Sequence, residues 1–279
     1  MPDIIHRKQI PVKVDKSHLI TIGEKLYTEK SSFIRELVNN AYDADACEVR
    51  IDIQPSHIII SDNGSGMDED GLRQYFTIGS SEKRSRVTSP RFARKRIGEF
   101  GISKFSALSA CKRFEIETQR GDFHARLVFD KATWSSHEDW HLDIDVLQSD
   151  DTVPHGTTIT LHDLDIAFAP GKVRRYLAER TPIHAPDFVV YINDECVTDE
   201  IVSGVHHAVH VQTSCGDIGG VLVIRPLTSR TDQGGIAVSV NGVLIRYEWF
   251  GLDMSRRSGA HRIAGRVNAD FFAGNEQSR

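Results

Sequence analysis

No stretch of this 279-residue sequence approaches the roughly 18 consecutive apolar residues that a membrane-spanning helix needs. The opening Met1-Pro2-Asp3-Ile4 runs into His6, Arg7, Lys8 and Gln9 and offers no apolar signal core. These absences predict a cytoplasmic chain with no membrane partner. There are only 4 cysteines, and Cys47, Cys111, Cys196 and Cys215 are spaced like neither a disulfide framework nor a zinc knuckle. They read as reduced thiols. No G-x-x-x-x-G-K-[ST] string occurs, which excludes a Walker-type phosphate loop. Charge of one sign is not in large excess either: 34 Lys+Arg against 39 Asp+Glu argue against a chain that coats nucleic acid along its whole length.

What is there is an ordinary globular composition, 39% hydrophobic and 26% charged. At about 100–200 residues per domain, the length allows one large domain or two modest ones. Ser31 or Ser32 is placed to cap a helix that runs to Ala44, in which Phe33, Leu37, Val38, Ala41 and Ala44 repeat at three and four residues. That stripe leaves Glu36, Asn40 and Asp43 together on another side. Residues 49–53 alternate and Ile58-Ile59-Ile60 is wholly apolar, so two strands are expected around a turn at Pro55-Ser56. A glycine-punctuated loop, Asp62-Asn63-Gly64-Ser65-Gly66-Met67, follows directly.

Further on, the pattern predicts a short helix over residues 68–75, a polar mobile loop over 77–96, a helix over 102–111, and strands over 114–118, 125–129, 142–147 and 157–161. A helix over 171–180 and a strand over 188–192 come next. Asn241-Gly242 between 238–240 and 243–245 is a hairpin signature in a β-rich tail. Early helices and late strands predict an α+β fold, a mixed sheet with helices on one face. The boundary falls between a first unit, 1–195, and a β-rich second unit, 196–279.

Three separated segments fit a nucleoside triphosphate with magnesium. Glu36 and Asn40 lie one helical turn apart, so a carboxylate can polarise water while an amide oxygen coordinates a hard cation. Asp62, at a strand end, can accept a hydrogen bond from an exocyclic amine, and Gly64 and Gly66 let backbone pass close to a flat ring. Gly98 and Gly101, just ahead of the expected helix, can offer amides to phosphates.

Taken in order, the strings Glu36-Leu37-Val38-Asn39-Asn40-Ala41-Tyr42-Asp43-Ala44, Asp62-Asn63-Gly64-Ser65-Gly66-Met67, Gly98-Glu99-Phe100-Gly101-Ile102-Ser103-Lys104-Phe105-Ser106-Ala107 and Gly156-Thr157-Thr158-Ile159 resemble the ATP site of the GHKL superfamily. That superfamily takes in gyrase-type topoisomerases, histidine kinases, MutL and heat-shock chaperones of the same fold. The resemblance implies the Bergerat ATP-binding fold, with Glu36 as general base and Asn40 as magnesium ligand. Asp62 is implied to read the adenine amine, directly and through a water shared with Thr157, with Asp43 and Met67 lining the base and ribose pocket. Residues 77–97 are implied as a lid, with Ser81, Lys83 and the segment Gly98, Glu99, Phe100, Gly101, Ile102, Ser103 and Lys104 against the phosphates. Ser103 departs from the family pattern, where a third glycine is usual.

Glu36 separates this sequence from histidine kinases, whose helix lacks it. Within the hydrolytic group the strings look closest to MORC-type and related bacterial ATPases, and the β-rich tail resembles the start of their transducer domain. The resemblance implies slow ATP hydrolysis, lid closure and a nucleotide-dependent homodimer, with DNA as a partner through the basic residues 83–96. The alternative is a nucleotide-sensing interaction module, or an Hsp90-like chaperone without a DNA substrate. No lysine follows Lys172, so Arg256, Arg257, Arg262 and Arg279 are the candidates within this sequence for the cation that such relatives bring to the γ-phosphate.

Two look-alikes weigh less. His137-Glu138-Asp139-Trp140-His141 fits a zinc-protease string, but its continuation alternates like a strand, where residues four apart are about 13 Å from each other. His206, His207 and His210 sit in a β-like stretch and read as ordinary histidines.

Overall fold

The computed structural model describes residues 21, 31–77, 88–97, 107–136, 141–149, 155–183, 185, 187–198, 204–226, 235–251 and 259–272. Helix α1 spans Ser32–Asp43, followed by strands β1 (Glu48–Ile53) and β2 (His57–Asp62) and helix α2 (Glu69–Phe76). Then come β3 (Cys111–Arg120), β4 (Phe123–Asp130), α3 (Lys131–Ser136), β5 (Ile144–Leu147), β6 (Gly156–Leu164), α4 (Pro170–Arg180), β7 (Val189–Ile192) and β8 (Glu195–Cys196). These strands form one mixed sheet of 8 in the order β5-β4-β3-β6-β2-β1-β7-β8. It is antiparallel except where β1 meets β7.

The alternation of residues along each strand decides which face is covered. Across the sheet, Ile51 lies opposite Ile60, Ile60 opposite Ile159, Ile159 opposite Ile116 and Ile116 opposite Leu127. This apolar row is buried together with Phe33, Ile34, Val38 and Ala41 of α1 and Val173, Tyr176 and Leu177 of α4. All these helical side chains lie on the same side of the sheet, because residues of the other parity, such as Arg50, Ser61, Glu117 and Thr158, point away. The Ser32 hydroxyl, 3.3 Å from the Tyr176 hydroxyl, ties the two helices. Each fully buried large aliphatic here is worth about 1.5–3 kcal/mol over leaving it in water. The stripe read from the sequence is therefore the surface that seats α1.

Helix ends follow local chemistry. Asp68 caps α2 by accepting the Gly71 amide at 2.8 Å, and Pro170 opens α4 with its φ already set. Ser31 stands at the N-cap of α1 but makes no side-chain cap bond. At the other end Asp45 turns left-handed at φ +61°.

A second sheet comprises β9 (Val205–Thr213), β10 (Gly216–Ile224), β11 (Gly235–Val240), β12 (Val243–Glu248) and β13 (Ile263–Asn268), in the order β12-β11-β13-β10-β9. Asn241 and Gly242 both take positive φ in the β11–β12 turn, the geometry such a two-residue hairpin demands. The first sheet runs through Cys196 and the second begins at Val205.

Two expectations need correction, and one element, α3, is additional to those expected. Cys111 opens β3, pairing with Leu164, so no helix extends over 102–111; residues 101–106 lie outside the described part. Helix α3 was not foreseen: it is short, and Asp130 starts it by accepting the Thr133 amide at 2.9 Å. Residues 88–97 are not a mobile loop, as the functional site makes plain. Among the described residues, no helix is long and apolar enough to cross a membrane.

Candidate functional site

Helix α1 presents Glu36, Asn40 and Asp43 on one side, with Glu36 8% and Asp43 9% exposed. A carboxylate is buried this deeply only where polar partners compensate its lost hydration. Asp43 Oδ1 accepts the Ile97 amide at 2.9 Å. The negative charge on Glu36 reaches Tyr75 of α2, whose phenol is pushed up by burial and further by that carboxylate.

At the end of α1 the chain meets the loop after β2. The Ser65 amide donates to the Ala44 carbonyl at 2.8 Å, which sets the loop against the helix end. Asp62 folds that loop around itself, its Oδ1 accepting the Gly64 amide at 2.8 Å. Enclosure of this carboxyl pushes its pKa up to about 6, against the opposing hydrogen bonds from the Gly64 and Thr157 amides. Gly66 sits at φ +61°, and a Cβ there would come within 2.0 Å of the Gln119 carbonyl. Only glycine fits both the angle and the approach.

Thr118, 2% exposed, joins this loop to β6. Its hydroxyl accepts the Met67 amide at 2.9 Å, donates to the Gly156 carbonyl at 3.1 Å and stands 3.2 Å from the Thr157 hydroxyl. Asp62, Gly64, Gly66, Met67 and Thr157 are thus brought together, hinged to the end of the helix that carries Glu36, Asn40 and Asp43. Ser81, Lys83, Gly98, Glu99, Phe100, Gly101, Ile102, Ser103 and Lys104 lie outside the described residues. So do Arg256, Arg257 and Arg279, whereas the Arg262 Nε donates to the Arg225 carbonyl at 2.6 Å.

Residues 27–157 match the family described as "Histidine kinase-, DNA gyrase B-, and HSP90-like ATPase". The chain is 28% identical over 169 residues to the "Chaperone protein HtpG" of Cupriavidus necator, covering 49% of this chain and 25% of that one. It is 31% identical over 193 residues to a "Putative type II restriction enzyme HgiDII" of Herpetosiphon aurantiacus, covering 64% and 30%. The HtpG of Campylobacter jejuni is 29% identical over 196 residues, covering 61% and 30%. Residues 27–157 are thus a GHKL-type ATPase region, just under half of the chain. The chain spans between a quarter and a third of the length of these curated relatives. The narrower likeness to MORC-type ATPases is not confirmed by these matches.

The GHKL fold explains why α1 and the 62–67 loop meet, and it directs attention to residues that sequence reasoning passed over. Thr118 was one inward residue of an alternating strand, with nothing local to mark it. Arg94 is one of the basic residues 83–96 through which the resemblance implies DNA contact, yet it is 7% exposed. Its Nη1 donates to the carbonyls of Ala46 at 2.6 Å and Tyr42 at 3.2 Å, and its Nη2 to that of Asp187 at 2.8 Å. It is no surface for DNA. Nearby Arg91 and Lys95 are exposed.

A cavity of about 260 Å³ is lined by Asp62, Thr118 and Thr157 of the candidate site and also by Arg50, Glu117 and His124. Arg50, Glu117 and His124 have the strand parity that points away from α1; Arg50 pairs with Glu48 at 2.6 Å, and His124 Nε2 lies 2.9 Å from Glu117. No group of three or more His, Cys, Asp or Glu among the described residues is arranged to hold a metal ion. His206, His207 and His210 lie along β9, an edge strand.

Proposed function

We propose that this chain is the ATP-driven part of a molecular switch. It binds ATP with magnesium, folds residues 77–87 of the expected lid over the nucleotide while 88–97 stay fastened to the end of α1, pairs with a second copy and hydrolyses ATP slowly. The junction of α1 with the 62–67 loop carries this reading: one helix face with Glu36, Asn40 and Asp43 ends at Ala44, which is bonded to Ser65 beside Asp62.

Each residue then has a task. Asp62 accepts the adenine amine, and Gly64 and Gly66 keep the loop thin enough for the ring to approach. Asp43 and Met67 line the nucleoside pocket. The oxygen donors of α1, an amide and two carboxylates, are the hard ligands that magnesium takes, and Asn40 is the residue that would hold it. When bound, the ion would offset phosphate charge. Glu36, one turn away, takes a proton from the attacking water. Ordering of a covering segment and pairing of two chains gate turnover and keep it slow.

The ATPase unit expected over 1–195 extends through Cys196, the end of its sheet, and the transducer-like unit begins with the second sheet at Val205. DNA as the working partner is favoured by exposed Arg91 and Lys95 and by the likeness to the putative type II restriction enzyme HgiDII. A chaperone machine is the second reading, favoured by the relatives named HtpG.

The test is phosphate release together with sedimentation in a non-hydrolysable ATP analogue. Glu36→Gln is expected to keep nucleotide binding and lose about 100-fold or more in turnover, and the wild-type chain to double in mass with the analogue. Undiminished hydrolysis by that variant, or no change in size, overturns the mechanism.

A further inference from the structure

Arg94 gathers carbonyls from two parts of the chain: Tyr42 and Ala46 around the end of α1, and Asp187 ahead of β7. Its guanidinium carbon lies 4.5 Å from the centre of the Phe92 ring, 4.6 Å from that of Tyr42 and 5.5 Å from that of Phe188. A planar fork with several donors and two faces uses all these partners at once, which an ammonium cannot do.

Asp45 grips the same segment. Its Oδ1 accepts the Ser89 hydroxyl at 2.5 Å and the Phe92 amide at 3.2 Å, and its Oδ2 the Arg91 amide at 2.8 Å. The Ser89 hydroxyl in turn accepts the Arg94 amide at 3.0 Å, and Thr88 bridges to Lys95. Residues 88–97 are thereby fastened to the helix end, and the last of them, Ile97, donates its amide to Asp43. One such bond returns less free energy than the entropy lost in ordering ten residues. It persists because Arg94 and Asp45 have already ordered them.

We propose that Arg94 is a positioning residue for the nucleoside end of the site: by pinning residues 88–97 to the end of α1, it holds the Ile97 amide on Asp43 and sets that carboxylate where base and ribose bind. This rests on the ATP-binding reading above.

The experiment is calorimetric titration of the whole chain with adenosine and with ADP, for wild type, Arg94→Lys and Ser89→Ala, reading both Kd and sites per chain. Arg94→Lys is expected to raise Kd for both ligands about tenfold, the scale of one bond to a charged group, with sites per chain unchanged. Ser89→Ala is expected to raise both by a smaller factor. Unchanged Kd with fewer sites marks a purely structural role and overturns the proposal, as does a rise for ADP without one for adenosine. If Arg94→Lys does not fold, Ser89→Ala decides alone: a raised Kd supports the proposal and an unchanged one overturns it. A wild-type chain that binds neither ligand overturns the ATP reading and this inference with it. Wild-type binding with variants that match it overturns this inference alone.

Discussion

Asp62 Oδ1 accepts the Gly64 amide at 2.8 Å, and a Cβ added at position 64 would also stand 2.8 Å from that same oxygen. The carboxylate closes its own turn two residues on, and the Ala44 carbonyl, 2.9 Å from that Cβ position, closes the other side. Gly64→Ala therefore has to move either the carboxylate or the end of α1. The expected outcome is at least a tenfold rise in Kd for ADP by calorimetry and a loss of about 1–3 kcal/mol in urea denaturation, the cost of overpacking a tight site. Wild-type affinity in this variant would remove Asp62 as the adenine partner.

The raised pKa of Asp62, about 6 against 3.8, makes the apo fold pH-dependent with a defined sign. Between those two values the folded state holds more protons than the unfolded one, so this group's contribution to stability is full below about 4 and is lost as pH rises through 6. Asp62→Asn is expected to raise apo stability at pH 7.5 by up to about 3 kcal/mol, with the gain gone at pH 4, while adenine-nucleotide binding is abolished. Asp45 has the opposite sign. Burial would raise its pKa, but the Ser89 hydroxyl, the Arg91 and Phe92 amides and the charge on Arg94 hold the carboxyl below its ordinary value. Its contribution is present at neutral pH and lost in acid. Thermal melts from about pH 2 to 8 for both Asn variants check the two signs, since the Asp45 contribution is lost only below its ordinary value of 3.8.

Thr118→Val keeps shape and removes a hydroxyl that serves the Met67 amide and the Gly156 carbonyl. Both are left to find new partners in a buried place, at a cost of about 1–3 kcal/mol. Urea denaturation should show a lower midpoint with an unchanged slope. A neutral effect would mean that water replaces the hydroxyl.

DNA binding, if this chain engages a duplex, runs through the exposed Arg91 and Lys95 and not through Arg94. Replacing both by Ala is expected to lower the slope of log K against log salt by about 2, close to one unit per phosphate contact, with no loss of thermal stability. Arg94→Ala should do the reverse, melting the segment and leaving the slope unchanged. A salt slope that Arg91 and Lys95 do not affect would place any DNA contact elsewhere.

Much of the candidate site was legible in the linear chain because its parts are local. Phe33, Leu37, Val38 and Ala41 repeat with the helical period, so the opposite side of α1, with Glu36, Asn40 and Asp43, could be read directly. Asp62 and Gly64 close a turn over two residues, and Asn241-Gly242 carries its own backbone angles. Strand parity in β1, β2, β3, β4 and β6 is likewise a property of neighbours. The helix expected over 102–111 failed at a long-range pairing, Cys111 with Leu164, that no local pattern announces.

Arg94 marks where sequence reading stops. Seven cations stand between residues 82 and 96, chemically alike and all reasonably assigned to solvent. The sequence by itself determined the two periodicities, the turns and which residue types lie near one another along the chain. Only the tertiary structure decided that one of those cations is buried among the carbonyls of Tyr42, Ala46 and Asp187, and that Thr118 is the hydroxyl that joins the loop to β6. The physical reason is that burying a charge or an amide depends on partners far along the chain, and those partners come into reach only when the sheet is assembled.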